Sequence, residues 1–426
     1  MFQSIDVASG VKVVSVKTDS YKTNIIDVSM AVPLGEDNAV NALLIHLLKR
    51  SCKEYPDFTE LNGKLDELYG ASLGAGVSKN GDAQVLSLSI TCIDDKFSFS
   101  DENICDECAK LIAGMVFNPN VKSGSFGVDN LNLEKRLLIQ EVLEEKDDKR
   151  SYALKKCVEA MCENEPYGRP RVGTVEQIEK VKMAEVYAAW KNLLSTALFQ
   201  ITVVGNTDGE TIANLFAEKF KKIDRQPCKI ETVFLKKPRR FMRYEEREPV
   251  NQGKLVMGYR AGMENAEDCR YAETVMVDIF GGGTYSKLFA NIREKMSLAY
   301  YCSARLVASK GIILVQSGID TDKEKAVSAG VINQLNDVRK GKFEDETIAA
   351  SKRSIKEGLA FTSPESYCAW YSTQILKSEI ITPEEFAENI EKVTKEEICA
   401  AASRMCLDKI FMLAAEPTEE DGDNED

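Results

Sequence analysis

Few residues in this 426-residue chain could do chemistry, and its single histidine is the first limit. His46 stands among Leu43, Leu44, Leu47 and Leu48, on what the spacing predicts to be a helix over 39–49. A catalytic zinc needs three protein ligands, an open position for water and a general base beside that water. His46 therefore has two readings: a hydrogen-bonded histidine on an apolar helix, which the leucines favour, or a metal ligand. Cys105 and Cys108 have CxxC spacing, but they fall in a helical pattern with Ile104, Leu111, Ile112 and Met115 and have no second pair nearby. They read as core thiols on one helix rather than as a zinc or redox site. Gly281-Gly282-Gly283 follows a helix instead of a strand and lacks a following Lys-Ser/Thr, so it ends a helix rather than cradling phosphate. Glu141 opens an acidic run, 141–148, that reads as a solvated helix face. Arg293 and Tyr300 offer a planar set of donors and a hydroxyl, suited to gripping a peptide carbonyl or a developing oxyanion. The alternative is a helix-end arginine at the surface and a tyrosine packed in a strand, and residue chemistry alone leaves both open.

The elements that must position these residues occur twice in the same order. In the first copy an alternating strand over 23–32 leads through a polar turn, 35–38, into the helix 39–49. In the second, a strand over 254–259 leads through a turn at 262–267 into a helix over 270–280. The segment 67–73 then precedes a strand, a turn at 78–81 and a strand over 84–90. Its counterpart, 294–300, precedes a strand, a turn at 309–311 and a strand over 313–319. Both copies continue into long helices, 101–116 and 322–338. A duplicated unit explains this order: a domain over 1–225, a basic, proline-bearing linker over 226–249 and a second domain over 250–426. Strands and helices without strict alternation favour an α+β fold of two similar halves, each a mostly antiparallel sheet with helices packed on one face, together enclosing a cavity.

Composition narrows the function. At 44% hydrophobic and 29% charged, the chain has the make-up of a globular protein. A formal charge of −13 argues against nucleic acid or an anionic membrane as partner, because the basic footprint is missing. Residues 416–426 read as a solvated acidic tail. The N-terminus shows no signal peptide, and no run of apolar residues is long enough for a membrane span. The twelve cysteines read as reduced, buried thiols, so the cytoplasm is the expected compartment, and no cofactor is expected.

At His46-Leu47-Leu48-Lys49-Arg50-Ser51-Cys52-Lys53-Glu54-Tyr55-Pro56 the chain resembles the insulinase/pitrilysin family of zinc peptidases, in which an inverted HxxEH motif precedes a similar turn. The resemblance continues through Glu165-Pro166-Tyr167-Gly168, Gly173-Thr174-Val175-Glu176-Gln177-Ile178 and Ile201-Thr202-Val203-Val204-Gly205-Asn206. It extends to Ser286-Lys287-Leu288-Phe289, Arg293-Glu294-Lys295 and Leu298-Ala299-Tyr300. It implies that Ala42 stands at the first histidine, Ile45 at the glutamate base and His46 at the second histidine. Glu141, seven residues after Glu134, takes the third-ligand position. It also implies that Arg293 and Tyr300 face the zinc site across a chamber and bind peptide backbone. Within the family the stretches 64–73 and 148–153 are most similar to zinc-free partner proteins of Gram-positive bacteria, a subfamily associated with elongation factor P modification. The implied function is a non-catalytic subunit that binds peptide or unfolded polypeptide and pairs with a zinc-bearing subunit. A structural assembly protein and a divergent active zinc peptidase are the alternatives.

Overall fold

A computed structural model describes residues 1–100, 102–265 and 270–416. Cys269, the last two residues of the turn 262–267 and the acidic tail beyond residue 416 lie outside the described residues. Two compact units emerge: one built from Met1–Leu143, Arg169–Glu231 and Phe361–Thr382, the other from Glu144–Gly168, Thr232–Ala360 and the chain from Pro383 onward.

The first unit holds β1 (Phe2–Ala8), β2 (Val11–Lys17), β3 (Thr23–Pro33), β4 (Ser72–Asn80), β5 (Ala83–Ile93) and β6 (Leu198–Gly205). Their order in the sheet is β1-β2-β6-β3-β5-β4, antiparallel except for the parallel pair β2/β6. The second unit holds β7 (Met242–Glu248), β8 (Gly253–Arg260), β9 (Tyr301–Val307), β10 (Ile312–Ile319) and β11 (Cys406–Ala415), in the order β7-β11-β8-β10-β9. Here too one pair, β7/β11, is parallel and the rest antiparallel. Leaving out β1, the two sheets share strand order and strand direction, so the duplicated pattern is a duplicated α+β fold. The stretch predicted as a linker is not wholly irregular, because β7 lies within it.

In the first unit, alternation sends Ile26, Val28 and Met30 of β3 into the main core, together with the helices Asn38–Arg50 and Ile104–Phe117. The opposite face is not left to water: the helix Pro364–Ser372 covers it, packing Cys368 and Tyr371 on Val14, Val16, Ile25 and Val204. Ser363 caps that helix through its hydroxyl to the Ser366 amide, and Pro364 starts it. The second sheet is likewise covered by the helix Lys149–Met161, which lies on β8 and β11. Gly258 permits that approach, since a Cβ there would sit 2.2 Å from Met161 Sδ. Each sheet therefore carries helices on both faces, not on one. The covering helix comes from a distant part of the chain, which explains why β3 and β8 are buried along nearly their whole length.

Beneath the helix Pro364–Ser372 sits Asp27, accepting hydrogen bonds from Ser29 Oγ at 2.6 Å and Ser372 Oγ at 3.3 Å. Burial pushes its carboxyl up to about 6, against the two hydroxyls. A folded-state pKa above the unfolded value means that protonation favours the fold. This contribution is complete below about pH 4 and lost as pH rises through about 6. Asp27→Asn should therefore stabilise the protein at pH 7.5 by about 1–3 kcal/mol, with the gain vanishing near pH 4. Denaturant titrations of both proteins at the two pH values check this, and a variant less stable at pH 7.5 would refute it.

Candidate functional site

The helix Asn38–Arg50 presents His46, Lys49 and Arg50 to a cleft of about 320 Å³. The opposite wall is the helix Val128–Glu144, contributing Glu134, Leu137, Leu138 and Glu141, with Phe58 at the edge. Seven residues are close to two helical turns, so Glu134 and Glu141 fall on one face and meet His46 in the same cleft.

The other two motif positions have left the cleft. Ala42 and Ile45 are both 0% exposed and belong to the apolar core, so neither can reach a metal or a water. The two carboxylates are also committed. Glu134 accepts from Arg50 Nη1 at 2.6 Å and Glu141 from Arg171 Nη2 at 2.9 Å. Burial lowers the His46 pKa, while Glu134 and Glu141 pull it upward against Lys49 and Arg171. The imidazole is thus neutral near pH 7, beside two carboxylates that are each paired with an arginine. Among the described residues no group of three or more His, Cys, Asp or Glu side chains is arranged to hold a metal. The residues present do not fit a catalytic zinc.

Arg50 and Arg171 were not singled out from sequence. Arg50 lies 84 residues from Glu134, and nothing local marks the pair. The basic character of a helix end next to a lost motif was the one available signal.

Arg293 lies in the last turn of a short π-type helix, Leu288–Lys295, and Tyr300 immediately precedes β9. Such i→i+5 turns are rare and concentrate at functional sites. The Arg293 guanidinium rests 4.6 Å from the Phe289 ring centre and 3.7 Å from Glu294, with its side chain 43% exposed. Tyr300 is fixed by its backbone amide to Gly318 O at 2.9 Å, and its hydroxyl reaches Asp320 Oδ1 at 3.3 Å. It is 61% exposed. Arg293 keeps guanidinium donors at the surface of the second unit, and Tyr300 presents there a hydroxyl whose one donor goes to Asp320.

The remaining candidates resolve as structure. Cys105 and Cys108 are buried on the helix Ile104–Phe117, where they meet Cys92 of β5. The contact with Cys92 and burial push the Cys105 thiol well above its ordinary value, so it stays protonated. The triple glycine begins at the last residue of the helix Arg270–Gly281, and a Cβ at Gly281 would stand 2.5 Å from the Ala304 backbone nitrogen. Close packing, not phosphate binding, requires glycine there. No helix among the described residues is long and apolar enough to cross a membrane.

A family model described as the peptidase M16 inactive domain matches residues 180–355. Over 402 residues the chain is 31% identical to the probable inactive metalloprotease YmfF of Bacillus subtilis, a match covering 93% of this chain and 94% of that one. A crystal structure of a conserved protein from Enterococcus faecalis has a TM-score of 0.86 at 28% identity, covering 98% of this chain and 99% of that one. The peptidase M16 inactive domain from Pseudomonas fluorescens has a TM-score of 0.79 at 17% identity, covering 98% and 100% of the two chains, a likeness of fold.

Proposed function

The chain belongs to the insulinase/pitrilysin, or M16, peptidase family as an inactive homologue, and from that premise we propose that it is the peptide-holding subunit of a heterodimer whose partner carries the zinc. The observation that carries this reading is an asymmetry between the two units. The positions for a ligand and a base are apolar and buried at Ala42 and Ile45, whereas Arg293 and Tyr300 remain exposed, Arg293 with guanidinium donors at the surface and Tyr300 with a hydroxyl that a ligand would draw from Asp320. A peptide backbone offers carbonyl oxygens at every residue. A guanidinium and a phenol can hold those oxygens without reading side chains, so selectivity from this pair is weak. Hydrolysis then falls to a zinc-bearing peptidase subunit in the same compartment, taken to be the cytoplasm. The bound species is peptide or unfolded polypeptide.

The purified chain alone should bind an unstructured, fluorescently labelled peptide and leave it intact. Anisotropy should rise saturably, and mass spectrometry after prolonged incubation should return the peptide at its original mass. Absence of binding at any attainable concentration would favour a structural assembly role, and fragments of the peptide would favour an active enzyme.

A further inference from the structure

The covering helix Pro364–Ser372 belongs to a stretch, 361–382, whose chain neighbours on both sides fall in the second unit. Within the first unit a few side chains hold its backbone. The Tyr21 hydroxyl donates to the Phe361 carbonyl at 2.8 Å, Gln200 Nε2 to the Tyr371 carbonyl at 2.7 Å and Asn80 Nδ2 to the Thr373 carbonyl at 2.7 Å. Between these points the contact with the sheet is apolar, Cys368 and Tyr371 resting on Val14, Val16, Ile25 and Val204.

Into that apolar contact the sheet sends one carboxylate. Asp27 is 7% exposed and accepts from two hydroxyls, Ser29 and Ser372, the second belonging to the helix itself. No cation pairs with it among the described residues. Its ladder neighbours are Ser89 of β5 and Thr202 of β6. Lys12 of β2, on the same face as Val14 and Val16, donates to the Lys377 carbonyl at 3.5 Å. On the helix, burial and Asp27 keep the Cys368 thiol protonated, and Glu365 is exposed in the first turn. The patch is also short of donors, since the buried Gln200 Oε1 has none among the described residues. A neutral carboxyl suits such a place, because it brings a donor and removes a charge that has no counter-ion.

We propose that residues 361–382 form a pH-sensitive strap: protonated Asp27 lets the helix Pro364–Ser372 seat on the first sheet, and ionised Asp27 loosens it. In an open strap the carboxylate regains water, whereas in a closed one it stays in an apolar contact with two hydroxyls. The closed strap therefore binds the proton more tightly, in keeping with the rise of the carboxyl from its ordinary 3.8 to about 6 through burial. The advantage of the closed state is complete below about pH 4 and is lost as pH rises through about 6. Opening bares Cys368, Tyr371 and the four apolar sheet residues beneath them. The strap acts within the first unit and stands independently of the peptide-holding role.

The test is hydrogen–deuterium exchange of the full-length chain at pH 5 and pH 8, each rate divided by its intrinsic value to give an opening constant. Peptides covering 364–374 should open more readily than those of the helix Asn38–Arg50 at both pH values. Their opening constant should rise about tenfold from pH 5 to pH 8, the change expected of a carboxyl at 3.8 when open and about 6 when closed. Asp27→Asn, which has no charge to bury, should abolish that rise. Cys368 is 3% exposed and reacts only from the open strap, so at pH 8 iodoacetamide should alkylate it about tenfold or more slowly in Asp27→Asn than in the wild type. An opening constant that does not change with pH would overturn the proposal. So would a rise, or a rate of Cys368 alkylation, that the substitution leaves unchanged, or protection of 364–374 equal to that of the helix Asn38–Arg50.

Discussion

On the peptide-holding role proposed above, Arg293→Ala or Tyr300→Phe should lower the turnover of the complex with a zinc-bearing subunit by about 100- to 1,000-fold, equivalent to about 2.7–4 kcal/mol, while the two subunits remain associated. The size follows from where the donors act. A donor aimed at a carbonyl oxygen gains strength as negative charge develops there, so its loss falls on the transition state more than on peptide binding. Arg293 rests on the Phe289 ring, and the Tyr300 hydroxyl reaches Asp320. Removing a guanidinium or one hydroxyl should leave the local fold intact because both side chains are exposed. The assay is steady-state hydrolysis by the variant chain with its wild-type zinc-bearing partner, beside a size-exclusion measurement of the complex. Unchanged turnover in both variants, with the complex intact, would make the structural assembly role the better reading.

Glu165→Gln should destabilise the second unit by about 3–5 kcal/mol. Glu165 accepts from two guanidinium nitrogens of Arg260 and from Lys310, all out of reach of solvent. The amide keeps the shape but replaces one acceptor with a donor facing donors, and it removes the carboxylate charge that Arg260 and Lys310 share. Breaking one partner of a buried network costs several times more than breaking an exposed pair, because the remaining charges stay desolvated. Denaturant unfolding resolves this as a lower midpoint for the second unit without a change in slope. A loss below about 1 kcal/mol, the scale of a surface ion pair, would show that water reaches the cluster.

The parts of the fold that could be read in advance were the local ones. The strand-turn-helix pattern at residues 23–49 and its counterpart at 254–280 depend on alternation and helical spacing within a few residues, and β3, β8 and their following helices lie where that spacing put them. β7 was missed because Met-Arg-Tyr-Glu-Glu-Arg-Glu has charged residues on both faces. Its reason for being a strand is a parallel pairing with β11, more than 150 residues away. The helices covering the second face of each sheet were missed for the same reason. Lys149–Met161 and Pro364–Ser372 look like ordinary amphipathic helices, and nothing within them says which sheet they will cover.

The candidate site divides along the same line. Ala42, Ile45 and His46 share one helix, so the loss of the motif was visible in the spacing alone once the family was known. The guanidiniums of Arg50 and Arg171 that neutralise Glu134 and Glu141 come from other elements, and only the fold brings them to the cleft. Their presence strengthens the inactive reading. Both carboxylates are already paired with cations, Glu134 in a nearly buried pair and Glu141 in a more exposed one.

Zinc content is the most direct test of that reading. The purified chain should be incubated with zinc, freed of unbound metal and analysed for zinc per chain, with peptide hydrolysis measured on the same sample. Ala42 and Ile45 in the core, with Glu134 and Glu141 held by arginines, predict zinc far below one per chain and no hydrolysis. One zinc per chain, lost together with hydrolytic activity in a His46→Ala variant, would contradict the account at its centre.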